Sequence, residues 1–211
     1  MPITDLRRAD LENLPSREGI TEFSSANLEV KDWERTRVEP LIEDYPFEQD
    51  SFKASLTYEE QSGYTTGRSV DIALEYRTQS ELLLLNLSTD LSSLTPVFSE
   101  LSDAAGGSDR IYHNLHAPED RLWSFIEQAD RVLDIHVLDE GTEISYKEVE
   151  DASREDVIGE YAIESAEIGF NYGDHQILVS YDSGRLQIET DWNEGTEYIL
   201  QLFEREVLGE K

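Results

Sequence analysis

The fold is decided by residues 52–58, which read FKASLTY, and residues 70–76, which read VDIALEY. In both segments every second residue is apolar, and polar or small residues stand between them. Strand side chains point alternately to the two faces of a sheet, so the pattern predicts two antiparallel strands with one face toward solvent. The connection between them contains Gly63 and Gly67 and is long for a hairpin turn.

A third strand is predicted at residues 81–88. Its four consecutive leucines, Leu82 to Leu85, indicate burial on both faces of the sheet. The pair Thr95-Pro96, a favoured cap and first position, then begins a predicted helix that Gly106-Gly107 ends. The elements of this region therefore follow the order β-β-β-α.

The same order recurs between residues 165 and 208. Alternating apolar residues predict three strands with turns at Gly173-Asp174 and at residues 182–184, and a last helix covers about 195–208. The sequence thus predicts an α+β fold, with antiparallel β-sheets in two β-β-β-α units that are covered by amphipathic helices. A duplication and a coincidence of a common pattern both explain the repeat, because residue identity between the units is poor.

The segments outside these units are predicted to be mainly helical. Residues 3–14 have apolar residues at helical spacing, and so do residues 30–45, where Pro40 implies two short helices or one kinked helix. Another helix is predicted to begin at residues 117–120, with acidic residues in its first turn. A hairpin is predicted at residues 133–146.

Gly106-Gly107-Ser108 is the candidate boundary between two domains. It predicts an N-terminal α+β half of residues 1–107 and a C-terminal α+β half of residues 108–211. Because no long Pro/Gly/Ser-rich linker separates the halves, one continuous domain is the alternative.

The chain is extremely acidic. It has 47 acidic against 17 basic residues, a formal net charge of -30, and only four lysines. The acids are spread along the chain, as on solvated faces, and do not form one block. Self-repulsion at this charge destabilises a compact state, and concentrated salt screens it. The composition resembles that of proteins from salt-in halophiles, haloarchaea above all, which implies a cytoplasm of high salt concentration.

Several classes of protein are disfavoured by what the sequence lacks. Cysteine is absent, so disulfides, thiolate nucleophiles and cysteine zinc sites are excluded. The first residues have no apolar signal segment and the longest apolar run is four residues, which predicts a cytoplasmic protein with no membrane partner. No dense basic patch favours nucleic acid. Because nucleotide-binding and nucleophile motifs are also missing, no cofactor is expected.

His113 and His116 form the sharpest polar cluster. Two histidines three residues apart, with Glu119 and Asp120 beyond them, are residue types that ligate a divalent metal. His136 would add a third nitrogen if its strand lay alongside. The alternative is that both histidines are solvated residues at a junction between a strand and a helix.

Tyrosines near the first hairpin suggest a surface for a partner. Tyr58, Tyr64 and Tyr76 are predicted on or near it, and Arg68 adds a cation beside its loop. Tyrosine is enriched at the energetic centres of interfaces, so these four residues are candidates for partner binding. The alternative for the tyrosines is ordinary packing at strand ends.

Three functions remain open on the sequence alone. The first is a non-catalytic protein-interaction, regulatory or assembly module of a halophile's cytoplasm, which binds another protein or itself. The second is an acidic inhibitor or nucleic-acid mimic, in which the charge itself is the function. The third is a metal-dependent hydrolase that uses His113 and His116. The lack of catalytic motifs favours the first.

Overall fold

The computed structural model describes residues 3–11, 27–60, 67–87, 91, 93–105, 110–112, 115, 117–146 and 161–209. Of these described residues, 53% are strand, in eleven strands, and 21% are helical, with three short helices. The protein is therefore predominantly an antiparallel β protein. The predicted α+β class, with sheets covered by helices, is wrong, because two segments that were expected to be helical are strands.

The chain divides into two compact units. Among the described residues, the N-terminal unit takes those within 2–38 and 48–115, and the C-terminal unit takes those within 39–47 and 116–211. The domain boundary predicted after residue 107 stays a prediction. The segment 39–47, which follows the second strand of the chain, belongs to the C-terminal unit.

The N-terminal unit is a five-stranded antiparallel sheet with one helix. In strand order the sheet is β2-β3-β4-β5-β1, and β6 pairs with the end of β1. Its elements are β1 (Ile3–Asp10), β2 (Leu28–Arg37), β3 (Asp50–Glu60), β4 (Arg68–Arg77), β5 (Leu82–Leu87), α1 (Thr95–Ala105) and β6 (Arg110–Ile111). Helix α1 buries Val97, Phe98 and Leu101 in the hydrophobic core of this unit. The burial of β5 on both faces is confirmed, since Leu82 to Leu85 are at most 1% exposed.

Strand β2 shows why a helical prediction failed. Its register against β3 shifts between Val30 and Asp32, which leaves Lys31 as the extra residue of a β-bulge. The bulge puts Val30 and Trp33 on the same face although they are three residues apart. A three-residue apolar spacing is also typical of a helix, so the predicted helices over residues 30–45 are wrong.

The helical prediction for strand β1 failed for a different reason. It pairs with β5 over residues 3–8 and with β6 at residues 9 and 10, and it has buried residues on both faces, with Leu6 and Ala9 at 0% exposure and Asp5 at 1%. Burial on both faces removes the alternation that identifies a strand in the sequence. The predicted helix over residues 3–14 is therefore wrong.

The C-terminal unit is a second antiparallel sheet, in the order β11-β10-β9-β7-β8. Its elements are α2 (Glu119–Glu127), β7 (Arg131–Asp139), β8 (Thr142–Ser145), β9 (Ala162–Tyr172), β10 (His175–Asp182), β11 (Arg185–Thr190) and α3 (Gly195–Phe203), which continues as a π-helical turn (Glu204–Leu208). The predicted meander, hairpin and two helices of this unit are confirmed. The Phe125 ring of α2 packs 5.8 Å from the Phe170 ring and 5.2 Å from the Phe203 ring. Among the described residues, no helix is long and apolar enough to cross a membrane.

The two units contain the same four-stranded meander followed by a helix. Strands β2-β3-β4-β5 correspond to β7-β9-β10-β11, with the short strand β8 inserted. In the first meander one row of paired residues is Val30, Leu56, Ile72 and Leu87. In the second meander the equivalent row is Val132, Ile168, Val179 and Ile188. Each row is followed by a bulge, at Lys31 and at Leu133, so the correspondence extends to register.

The segment 39–47 is held on α3 by side chains of the helix and its π-helical turn. Gln201 is fully buried; its Nε2 donates to the Glu39 carbonyl at 2.9 Å and its Oε1 accepts from the Leu41 amide at 2.7 Å. The Tyr45 hydroxyl donates to the buried Glu204 carboxylate at 2.5 Å. The Gln201 side-chain amide therefore pairs with one backbone acceptor and one backbone donor of the segment, as the backbone of a neighbouring strand would.

Candidate functional site

The residues predicted to bind a partner do not form a surface together. Tyr58 and Tyr76 are 6% and 4% exposed and belong to the hydrophobic core of the N-terminal unit. Burial raises the pKa of Tyr58, and the Glu100 and Glu60 carboxylates add to the effect. Arg68 is exposed, with its Nε 3.9 Å from Glu60, and Tyr64 lies outside the described residues.

The predicted metal ligands His113 and His116 also lie outside the described residues. Among those that are described, no three His, Asp or Glu side chains are grouped so as to hold a metal ion. His136 of β7 has its Nδ1 2.7 Å from Glu143 and its Nε2 3.3 Å from Asp134. Both ring nitrogens of His136 are thus engaged by carboxylates of its own hairpin region.

Exposed large apolar side chains are concentrated at one end of the C-terminal sheet. Across the described part of the chain there are four: Tyr112 at 39%, Val132 at 48%, Leu133 at 44% and Tyr172 at 44%. Three of them belong to the C-terminal unit. Clustered exposed apolar surface marks interaction sites more often than scattered single residues do.

The register of β7 and β9 places these three residues at the same end. Arg131 pairs with Gly169, and the Asp130 carboxylate accepts a hydrogen bond from the Asn171 amide at 2.6 Å. Tyr172 therefore lies about 10 Å beyond Gly169 along β9, at a rise of about 3.3 Å per residue. Val132 pairs with Ile168, so Tyr172 lies about 13 Å beyond the partner of Val132 at the same rise. We call these three residues, Val132, Leu133 and Tyr172, the apolar end.

Tyr172 is also part of a cluster of four rings, which we call the ring cluster: Tyr172, His175, Trp192 and Tyr198. The Trp192 indole stacks on Tyr172 with ring centroids 4.4 Å apart and planes 7° apart. It is also nearly parallel to the His175 ring, at 5.9 Å and 15°. Tyr198 lies 5.0 Å from Tyr172 and 5.7 Å from Trp192. The aromatic surface is therefore continuous.

Two tight turns hold the rings together. Tyr172 is the last residue of β9, and its cross-strand partner is His175 of β10. The tight turn between them contains Gly173, whose φ of 59° suits a short hairpin turn. After β11, the Thr190 hydroxyl accepts a hydrogen bond from the Trp192 amide at 3.1 Å. A Cβ at Gly195 would lie 2.5 Å from the Thr190 Oγ1, so only glycine allows this close approach.

A cavity of about 400 Å³ adjoins the ring cluster. It is lined by Leu41, Ile42, Glu43, Gln128, Tyr172, Tyr198, Leu202 and Arg205. Its volume is near the lower end of the range of about 300–1,000 Å³ that is typical of small-molecule sites. The cavity is therefore large enough for a side chain of a partner or a small ligand.

The Arg205 guanidinium of this cavity is held by hydrogen bonds from several sides. The Arg205 Nε donates to the Glu206 carboxylate at 2.8 Å, and its Nη atoms donate to the Glu43 carbonyl and to Gln128 at 3.2 Å. Burial raises the pKa of Tyr198, with Tyr172 and Asp130 acting in the same direction and Arg205 opposing. Tyr198 therefore keeps its hydroxyl proton and remains a hydrogen-bond donor at neutral pH.

The N-terminal sheet carries a groove of a different character. A groove of about 390 Å³ runs over small residues of β3 and β4, Ser55 and Ala73. The Lys53 Nζ lies 3.7 Å from Glu75, one of the acids along the groove. Beside it, the Lys31 Nζ of the bulge lies 3.5 Å from Asp71. These charges are paired within the sheet itself.

No protein-family model matches the chain, and no curated protein matches it significantly. The site therefore rests on its own geometry. The sequence analysis selected Tyr58, Tyr64, Arg68 and Tyr76 for partner binding, and it missed Trp192 and the Val132-Leu133 pair. The available signal was a single tryptophan in a polar turn between a strand and a helix.

Proposed function

We propose that this chain is a non-catalytic protein-interaction module that docks a partner protein through the apolar end and the ring cluster of its C-terminal unit. One observation supports it above the others. Three of the four exposed large apolar side chains in the described part of the chain lie at this end, beside a continuous ring surface. Aromatic side chains dominate the energetic centres of protein interfaces.

The composition supports the setting of the proposal. A net charge of -30 with few lysines fits a halophile's cytoplasm, where dissolved salt screens the self-repulsion of the chain. In such a solvent long-range attraction between charges is weak, and contact between apolar surfaces contributes most of the affinity. The apolar end is a surface of that kind.

A pair of matched variants tests the proposal. Tyr172→Ala removes a ring of the apolar end, and Tyr112→Ala removes a ring of similar exposure from the N-terminal unit. The wild-type chain and both variants are immobilised and exposed to extract of the source cells in roughly 1 M KCl, where the Debye length is about 3 Å. Retained proteins are quantified by mass spectrometry, and the particle mass of each chain is measured in the same buffer.

We expect at least one protein, or a second copy of the chain, to bind the wild type and Tyr112→Ala equally and to be lost with Tyr172→Ala. Identical retention by all three chains would contradict the proposed surface. A strictly monomeric wild type that retains nothing would contradict the proposed function.

A further inference from the structure

We propose that the group received by the ring cluster is an arginine side chain, presented by a basic segment of the partner protein. This inference rests on the proposed function and names the partner's chemistry. Its first support is the exposure of the aromatic surface, where Tyr172 is 44% exposed and stacked on Trp192. Cations bind over the faces of such rings within about 6 Å of the centroid, and arginine does so most often.

Carboxylates stand on both turns that carry the rings. Asp174 follows Tyr172 in one turn, and Asp191 and Glu194 flank Trp192 in the other; all three are exposed. The Asp191 side chain is 78% exposed and its Oδ1 lies 3.1 Å from the His175 Nδ1. A guanidinium stacked on the rings would therefore have acceptors at its edge, which is the arrangement that a planar, five-donor cation uses.

The chain itself shows the same contact elsewhere. The Arg7 guanidinium lies 4.9 Å from the Phe98 ring centroid, and the Arg35 guanidinium lies 5.3 Å from that of Phe52. In the part of the chain that the structure describes, no guanidinium lies over the ring cluster. Both internal contacts belong to the N-terminal unit, whereas the Arg205 guanidinium, which shares a cavity with Tyr172 and Tyr198, is paired with Glu206.

The adjoining cavity does not repel a cation strongly. Arg205 lines it, but its charge is matched by Glu206 at 2.8 Å. Glu43 also lines the cavity and is exposed. With the carboxylates of the two turns added, the local charge is negative, so a cationic side chain is electrostatically complementary to this surface and an anionic one is not.

The test uses three synthetic nonapeptides of glycine and serine that carry three arginines, three lysines or three citrullines. Citrulline keeps the planar shape of arginine without the charge, and lysine keeps the charge without the plane. Binding to the ¹⁵N-labelled chain is followed by NMR at the tryptophan indole signals, and the Trp192 signal is assigned by its loss in Trp192→Phe. Tyr172→Leu and Tyr112→Leu are titrated alongside.

We expect the arginine peptide to shift the Trp192 signal saturably and to bind at least roughly fivefold more tightly than the citrulline peptide, as a cation over aromatic rings predicts. The lysine peptide should be intermediate. Tyr172→Leu should lower the affinity for the arginine peptide by a similar factor, and Tyr112→Leu should leave that affinity unchanged.

Equal binding of arginine and citrulline peptides, or a shift confined to the other tryptophans, would overturn the inference. The two proposals fail separately. If Tyr172→Ala abolishes retention of a partner while the arginine peptide shows no preference, the interaction surface stands and the arginine assignment falls.

Discussion

The two units place different residues at the same structural position. In the N-terminal unit the bulge residue after the first paired row is Lys31, and in the C-terminal unit it is Leu133. Lys31 is paired with Asp71 at 3.5 Å, whereas Leu133 is 44% exposed. A charged residue at an edge-strand bulge prevents unwanted pairing, and an exposed leucine does not. We expect the edge strand β2 to be protected by Lys31, and the part of β7 that β8 does not pair with, which includes Leu133, to be available for binding.

The helix cover differs between the units as well. Helix α1 packs its buried face on the N-terminal sheet, and α2 and α3 supply Phe125 and Phe203 to the C-terminal unit. The C-terminal unit also holds the segment 39–47 through Gln201. The interior of the C-terminal unit is therefore well packed, while the end that carries the ring cluster is exposed. A rigid docking surface is expected to combine these two features.

The largest expected effect separates the core of the C-terminal unit from its surface. Phe125 is fully buried between two phenylalanine rings, so Phe125→Ala should lower the free energy of unfolding by about 3–5 kcal/mol. Leu133→Ala, in the same unit, should change it by less than about 0.5 kcal/mol because the side chain is exposed. Denaturant unfolding in roughly 1 M KCl, where charge repulsion is screened, measures both. Equal losses would show that Leu133 is part of the core.

A medium effect is expected at the segment 39–47. Gln201→Met keeps the size of the side chain but removes its bonds to the Glu39 carbonyl and the Leu41 amide. Losing these two hydrogen bonds should lower the free energy of unfolding by about 1–3 kcal/mol, at about 0.5–1.5 kcal/mol each. Hydrogen exchange at the Leu41 amide should accelerate, while amides in β3 keep their rate. An unchanged Leu41 rate would mean that the segment is held by other contacts.

The smallest effect on stability is expected when each bulge residue is replaced by the residue of the other unit. This exchange tests the difference between the two bulges directly. Leu133→Lys and Lys31→Leu should each change the free energy of unfolding by less than about 1 kcal/mol, since both positions are exposed. Leu133→Lys should weaken partner retention, and Lys31→Leu should promote self-association of the chain at its N-terminal edge. Sedimentation and the retention assay provide the two readouts. Full retention by Leu133→Lys would remove Leu133 from the binding surface.

The strands of both meanders could be predicted because each alternates between a buried and an exposed face. The turns helped too: Glu140 and Gly141, and likewise Ser183 and Gly184, have positive φ, as tight hairpin turns require. Strands β1 and β2 could not be predicted in this way. One is buried on both faces, and the other has a bulge that imitates helical spacing.

The candidate site was harder to predict than the fold. Tyr58 and Tyr76 are chemically like Tyr172, and only the structure shows that the first two are in the core while the third is exposed. Trp192 and Tyr172 are 20 positions apart in the sequence. Their rings meet because β9 and β11 flank β10 and because Gly195 lets Thr190 approach α3 closely. No local sequence pattern predicts that two such distant residues come into contact.

The central claim is that the apolar end of the C-terminal unit is covered by a partner. Covalent labelling of tyrosine side chains, read out by peptide mass spectrometry, tests it most directly when the purified chain is compared with the chain in extract of its source cells. The account predicts that labelling of Tyr172 falls several-fold in the extract while labelling of Tyr112, which is similarly exposed, stays the same. Equal labelling of Tyr172 in both conditions, or protection of Tyr112 alone, would contradict it.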